Sequence, residues 1–292
     1  MKLAAYRLGD DRRVGRWNEA DRTVRALLLD GIPVTDMVAL MGDCNALSRS
    51  RVSEQALSID QIKLSAPIPR PSRNIFCVGK NYAKHAHEFS RSGYDAGQKS
   101  AAVDALPDCP IVFTKPPETV IAAGETVWSA AQVTSSLDYE AELAVIIGKG
   151  GRGIPKSVAM DHVWGYTIIN DITARDWQQR HKQWFLGKSF DTFCPMGPIA
   201  VTADELDCAT LDVKCWVNGE LRQNANTRDL IFDVPTLLET ISAGITLYPG
   251  DIIATGTPEG VGIGFNPPRF LKQGDVVAVE IQGIGRLENP VG

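Results

Sequence analysis

The stretch Asp138-Tyr139-Glu140-Ala141-Glu142-Leu143-Ala144-Val145-Ile146-Ile147-Gly148 constrains this chain more than any other. Its apolar run, closed by a glycine, predicts a buried strand. Residues two apart on a strand share a face, so Glu140 and Glu142 point the same way, toward the side that Ala144 and Ile146 line. Two like charges in a poorly solvated place must be protonated, paired with cations or bound to a metal. A third carboxylate, Asp171, ends a second apolar run that begins at Val163. Three carboxylates at strand mouths, with no cysteine among them, suit a hard divalent ion: Mg²⁺ or Mn²⁺, and Ca²⁺ less well. A solvated strand edge with both glutamates facing water explains the spacing equally well.

A net charge of -5 and the lack of a lysine/arginine block argue against nucleic-acid binding. No apolar run reaches membrane-spanning length, and the first ten residues lack the apolar core of a signal peptide. Six cysteines show no CxxC pair, so they read as free thiols rather than a disulfide or zinc framework. The expected setting is the cytosol, with no membrane partner.

Residues 1–63 read as a small α/β unit: strands at 2–8 and 14–17, then a helix at 35–42 capped by Thr35 or Asp36. Segment 64–73 carries Pro67, Pro69 and Pro71, which fit neither a central strand nor a helix interior. It reads as a linker to a larger domain spanning 74–292. There, Asn218-Gly219 predicts a hairpin, Asp233 opens a helix, and the end of the chain is a second hairpin.

Several residues in the large domain have chemistry to offer. If 80–89 turns helically, His85 and Glu88 share a face, and a carboxylate beside an imidazole makes a general base. On spacing alone a surface His/Glu pair is the default. The weakly patterned segment 90–108 reads as a mobile lid or a plain insertion. Arg175 can clamp a substrate carboxylate or pair with Asp176. Lys188 sits in an aromatic stretch where a lysine is unusual, and it can stabilise an enolate or carboxylate. The turn 256–262 exposes backbone N–H groups and the Thr257 hydroxyl, which can hold a carboxylate. His162 reads as packing or surface.

Taken together, Gly79-Lys80-Asn81-Tyr82-Ala83-Lys84-His85-Ala86-His87-Glu88, Asp138-Tyr139-Glu140-Ala141-Glu142-Leu143, Asn170-Asp171-Ile172-Thr173-Ala174-Arg175-Asp176, Lys188-Ser189-Phe190-Asp191 and Thr255-Gly256-Thr257-Pro258 resemble the fumarylacetoacetate hydrolase family. The resemblance runs from about residue 64 to the C-terminus. It implies an α+β, mostly β fold: a mixed β-sandwich roll with a small N-terminal domain, commonly a homodimer. It implies Glu140, Glu142 and Asp171 as ligands of Mg²⁺ or Mn²⁺. It implies His85 and Glu88 as a water-activating dyad, with Lys188 beside the reacting enolate. It also implies Tyr82, Arg175, Gln178 and Thr257 as substrate contacts. The short first domain departs from the large eukaryotic members, which turns the expected substrate away from fumarylacetoacetate itself.

The expected reaction is cleavage of a 2,4-dioxo acid (an acylpyruvate) to pyruvate and a carboxylic acid. His85 would activate the water, and a small-molecule 2-oxo acid is the expected partner. Oxaloacetate decarboxylation, isomerisation of an unsaturated 2-oxo diacid and a ureidoglycolate lyase-like reaction are alternatives on the same site. A non-catalytic binding protein is the rival from another class.

Overall fold

Strand Ala141–Ile147 is buried along its whole length. It pairs antiparallel with Val163–Asn170 on one side and Ile252–Ala254 on the other. The computed structural model describes residues 1–43, 45–94 and 106–292. Residues 95–105 of the expected lid, and Cys44, lie outside the described residues. A strand with neighbours on both edges and packing on both faces must be apolar throughout, which is why 143–147 lacks polar alternation.

Among the described residues, the sheet that contains this strand has 13 strands. Beyond Ile252–Ala254 it continues through Ile75–Gly79, paired in parallel, to Ile111–Lys115. In the other direction it runs through Val163–Asn170 and Cys194–Thr202 to Lys2–Leu8, Asp11–Asn18 and Thr23–Leu29. The N-terminal strands thus join the same sheet, with Lys2 opposite Val201 and Leu3 opposite Ala200. The helix expected at 35–42 is a short 3-10 turn, Met37–Leu40, where the Asp36 carboxylate accepts from Val38 N–H at 3.0 Å. The proline-rich stretch buries Ala66 and Ile68, and Arg73 closes it with a two-pronged ion pair to Asp251 and a hydrogen bond to Thr246 O at 2.8 Å.

A second, four-stranded sheet, Glu220–Asn226, Asp212–Val217, Val276–Ile281 and Gly285–Pro290, covers one face of the first. Leu143, Val145 and Ile147 meet Val213, Cys215 and Val279 there. Ala144 and Ile146 pack on the opposite face with Cys77, Ile252 and Met196. The Asn218-Gly219 hairpin forms as expected, with both residues at positive φ, 51° and 80°. Asp233 caps helix Val234–Ser242 through Thr236 N–H at 2.9 Å. His162 is buried and its Nδ1 lies 2.7 Å from Lys149 O, a packing role. Among the described residues no helix is long and apolar enough to cross a membrane.

Candidate active site

The register of the two central strands assembles the carboxylates. Ala141 faces Asn170, so Glu140 and Asp171 stand just past the pairing, at the same end. Asp171 N–H donates to Glu140 O at 2.9 Å, and Glu140 N–H donates to Asn170 Oδ1 at 3.0 Å. Glu142 follows Glu140 on the same face. One oxygen from each of Glu140, Glu142 and Asp171 lies within 4.8 Å of the others, and all three residues are at most 5% exposed. The water-facing alternative for the glutamates is thereby excluded.

Three buried cations surround them. Lys188 Nζ donates to Glu140 Oε2 at 2.7 Å and Asp171 Oδ2 at 2.8 Å. Lys115 Nζ donates to Asp171 Oδ1 at 2.6 Å, to Ile172 O at 3.1 Å and to the backbone carbonyl of Lys188. Arg175 forms an ion pair with Glu140 at 2.7 Å and donates to Asp138 Oδ2 at 2.9 Å and Gln178 Oε1 at 3.2 Å. Asp138 also accepts from Gly262 N–H at 2.6 Å and Ile263 N–H at 3.2 Å, tying the site to the 256–264 turn. Sequence reasoning missed Lys115 and Asp138 as members of this cluster. Asp138 shares its parity with Glu140 and Glu142, a signal that alternation already carries. Lys115 closes a strand against Pro116-Pro117, and nothing local marks it.

Among the described residues, four buried carboxyls thus face three buried cations. Burial raises the Glu140 carboxyl, but Lys188 and Arg175 outweigh it and hold the group down at about 2. Burial pushes Glu142 well above the ordinary carboxyl value, and the charges of Asp171 and Glu140 add to the rise. Burial works against a charged Lys188, yet Asp171 and Glu140 raise it and keep it an ammonium. The unbalanced negative charge therefore falls on Glu142, which accepts from Gly256 N–H at 2.8 Å. A dication suits this cluster on two counts: the donors are all carboxylate oxygens, and negative charge is in excess.

The expected base stands across the cavity. His85 lies on helix Ala83–Arg91 and is 4% exposed. Its Nδ1 is 3.2 Å from Glu88 Oε2, and Glu88 Oε1 accepts from Gly260 N–H at 3.0 Å. His85 is thus buried and the Glu88 side chain only 16% exposed, so the pair is recessed rather than set on a surface. A Cβ at Gly264 would fall on the Glu88 carboxylate, so only glycine leaves that side chain its place. His85, Glu140, Glu142, Gln178, Lys188 and Thr257 line one cavity. Phe89, Phe113 and Trp184 form its apolar wall, with ring centroids 6.0 Å apart for Phe89–Trp184 and 5.4 Å for Phe113–Trp184.

Two expected substrate contacts are placed differently from the rest. Tyr82 is buried at the start of the His85 helix, bridged through its backbone to Leu230, and does not line the cavity. Arg175 does line it, but its guanidinium is engaged by Asp138, Glu140 and Gln178. Thr257 lines it too, its hydroxyl accepting from Gln223 Nε2 at 2.8 Å. The turn N–H of Gly256, expected for substrate, is committed to Glu142.

A family model described as fumarylacetoacetate hydrolase, C-terminal, matches residues 74–292. Oxaloacetate tautomerase YisK of Bacillus subtilis is 54% identical over 236 residues, covering 80% of this chain and 75% of that protein. The mitochondrial oxaloacetate tautomerase fahd2 of Xenopus laevis is 43% identical over 242 residues, covering 82% and 71%. Among solved structures, the fumarylacetoacetate hydrolase of Exiguobacterium antarcticum superposes with a TM-score of 0.81 at 38% identity, covering 100% of this chain and 99% of that one. The 2-hydroxyhepta-2,4-diene-1,7-dioate isomerase of Mycobacterium marinum gives 0.77 at 31%, covering 100% and 98%.

Proposed function

The chain belongs to the fumarylacetoacetate hydrolase family, and from that premise we propose that it interconverts the keto and enol forms of a small 2-oxo diacid of the oxaloacetate type. This reading replaces acylpyruvate hydrolysis as the first choice, and it lies close to the alternatives considered from the sequence, which share its enolate chemistry. The observation that carries it is the placing of one imidazole base and one ammonium on the same small cavity, in a chain whose relatives include proteins named oxaloacetate tautomerase. Proton transfer at a single carbon needs those two groups and no water nucleophile.

Glu140, Glu142 and Asp171 would hold Mg²⁺ or Mn²⁺, which supplies Lewis-acid polarisation of the substrate oxygens. The remaining chemistry belongs to the chain. His85 Nδ1–H donates to Glu88, which leaves Nε2 as the base. In the keto-to-enol direction Nε2 accepts a proton from C3. The C–H electron pair moves into a C2–C3 double bond, and the C2 oxygen becomes an enolate. An ammonium has three donors, and two of Lys188's are used by Glu140 and Asp171, so the third serves that oxygen. The enolate gains one proton and His85 gives one back to solvent, so atoms balance. The Phe89, Phe113 and Trp184 wall limits water and strengthens each charge interaction.

The test follows the enol absorbance of oxaloacetate alongside a coupled assay for pyruvate, with Mg²⁺ or Mn²⁺ present and after chelation. The expected outcome is faster, metal-dependent keto–enol relaxation with no pyruvate above background. Pyruvate released from acylpyruvates would return the reading to hydrolysis, and pyruvate from oxaloacetate would move it to decarboxylation. We also propose a cytosolic homodimer, which sedimentation as a monomer at micromolar concentration would rule out.

A further inference from the structure

The turn that carries Thr257 is held from the second sheet. A Cβ at Gly260 would fall on the Arg222 carbonyl, so the turn seats directly against strand Glu220–Asn226. Gln223 on that strand is fully buried. Its Oε1 accepts from Ala141 N–H at 3.0 Å, between the carboxylate residues Glu140 and Glu142. Its Nε2 donates to Thr257 Oγ1 and to Pro258 O, both at 2.8 Å. One amide thus joins the carboxylate strand to the turn that borders the cavity. Its partners fix which way it points. Ala141 N–H can only donate and Pro258 O can only accept, so the amide oxygen faces the strand and the nitrogen faces the turn.

That orientation decides how the Thr257 hydroxyl works. An amide nitrogen accepts no hydrogen bond, so Thr257 Oγ1 is the acceptor and its own proton turns elsewhere. Among the described residues no acceptor takes that proton. Thr257 is 3% exposed and lines the cavity with His85, Glu142 and Lys188. A free hydroxyl rotates to suit and serves as donor or acceptor. Here the fold settles the choice before any ligand arrives: Thr257 is left as a donor. Its fitting partner is a group that only accepts, and an ionised carboxylate of a 2-oxo diacid is such a group. Fixing the rotor in advance also lowers the ordering cost of binding.

We propose that Gln223 is a positioning residue, which fixes Thr257 as a hydrogen-bond donor to a substrate carboxylate. The inference rests on the diacid reading above. The test is a double-mutant cycle on oxaloacetate binding, by calorimetry on the full chain in Mg²⁺-containing buffer. Gln223→Glu keeps the size and the acceptor for Ala141 N–H, but its carboxylate takes the Thr257 proton for itself. Thr257→Val keeps the shape and removes the hydroxyl. Each lowers affinity roughly 10- to 100-fold, the scale of a hydrogen bond to a charged group. In the Thr257→Val background, Gln223→Glu costs less than about 3-fold more, because the group it acts through is gone. Thr257→Ser, which keeps the hydroxyl, retains most of the affinity. Where Gln223→Glu does not fold, Gln223→Met replaces it in the same cycle. Its expected loss is about 3- to 10-fold, the scale of a neutral hydrogen bond, and it too disappears in the Thr257→Val background. Additive losses, or an unchanged affinity on changing Gln223, overturn the role of Gln223 alone. Failure of the diacid reading shows separately, as no oxaloacetate binding by the unmodified chain, and removes this inference with it.

Discussion

Arg49 and Lys115 each bridge to aspartate, one at the end of the short helix Ala46–Arg49 beside the N-terminal strands and one beneath the cavity. Arg49 reaches Asp30 at 3.1 Å and Asp43 at 2.6 Å with its side chain 46% exposed. Lys115 reaches Asp171 at 2.6 Å with neither side chain exposed. The distances are alike and the energetics are not. At the surface, water and salt screen the pair, and losing one partner leaves the other solvated. In the interior nothing replaces a missing partner, so breaking the pair strands a charge. The polar cluster around Asp171 is therefore cooperative, while the N-terminal ion pairs are nearly independent of one another.

That contrast can be broken at several points. The largest expected effect is on activity: His85→Ala lowers enol relaxation by ~10²–10⁴-fold, the usual contribution of a general base. Its melting temperature stays close to that of the unmodified chain, and a near-normal rate would remove His85 from the base role. Next, Lys115→Met leaves Asp171 with Lys188 as its one remaining cation among the described residues and destabilises the chain by about 3–5 kcal/mol, read by denaturant titration. A loss as small as that of a surface pair would show that the cluster rearranges freely. Glu142→Gln sharpens the charge argument from the other side. It removes the surplus carboxylate, so the metal-free chain melts higher by about 2–4 °C, while the stabilisation that Mn²⁺ gives through mass action is lost. Destabilisation of the metal-free variant would mean that Glu142 is not the unbalanced charge. The smallest effect belongs to Arg49→Ala, which leaves the melting temperature within about 2 °C.

The same contrast explains what local sequence could reveal. The carboxylates were readable because strand alternation is a rule of period two, and it places Glu140 and Glu142 together whatever surrounds them. His85 and Glu88 were readable as a pair from helical spacing, but not as a buried pair. Their burial comes from Gly260 and Gly264, more than 170 residues along the chain, which receive the Glu88 carboxylate. The reading of 35–42 as a helix had a sound cap at Asp36 but too short a run to propagate, and it closed as one 3-10 turn.

By itself, the sequence determined the chemical inventory and its local phase: three carboxylates at strand ends, an imidazole and a carboxylate at helical spacing, a lysine among aromatics, hairpins at Asn218-Gly219 and after Gly274. Such features depend on neighbours within a few residues. Tertiary structure alone decided the partners. It brought Lys115 to Asp171, Asp138 to Arg175, and Gly256 N–H to Glu142, and it set Lys80 beside Phe89. The physical reason is that the sign and strength of a buried charge interaction depend on distance and on exclusion of water. Both are set by the register of strands far apart in the chain, not by the residues next to the charge.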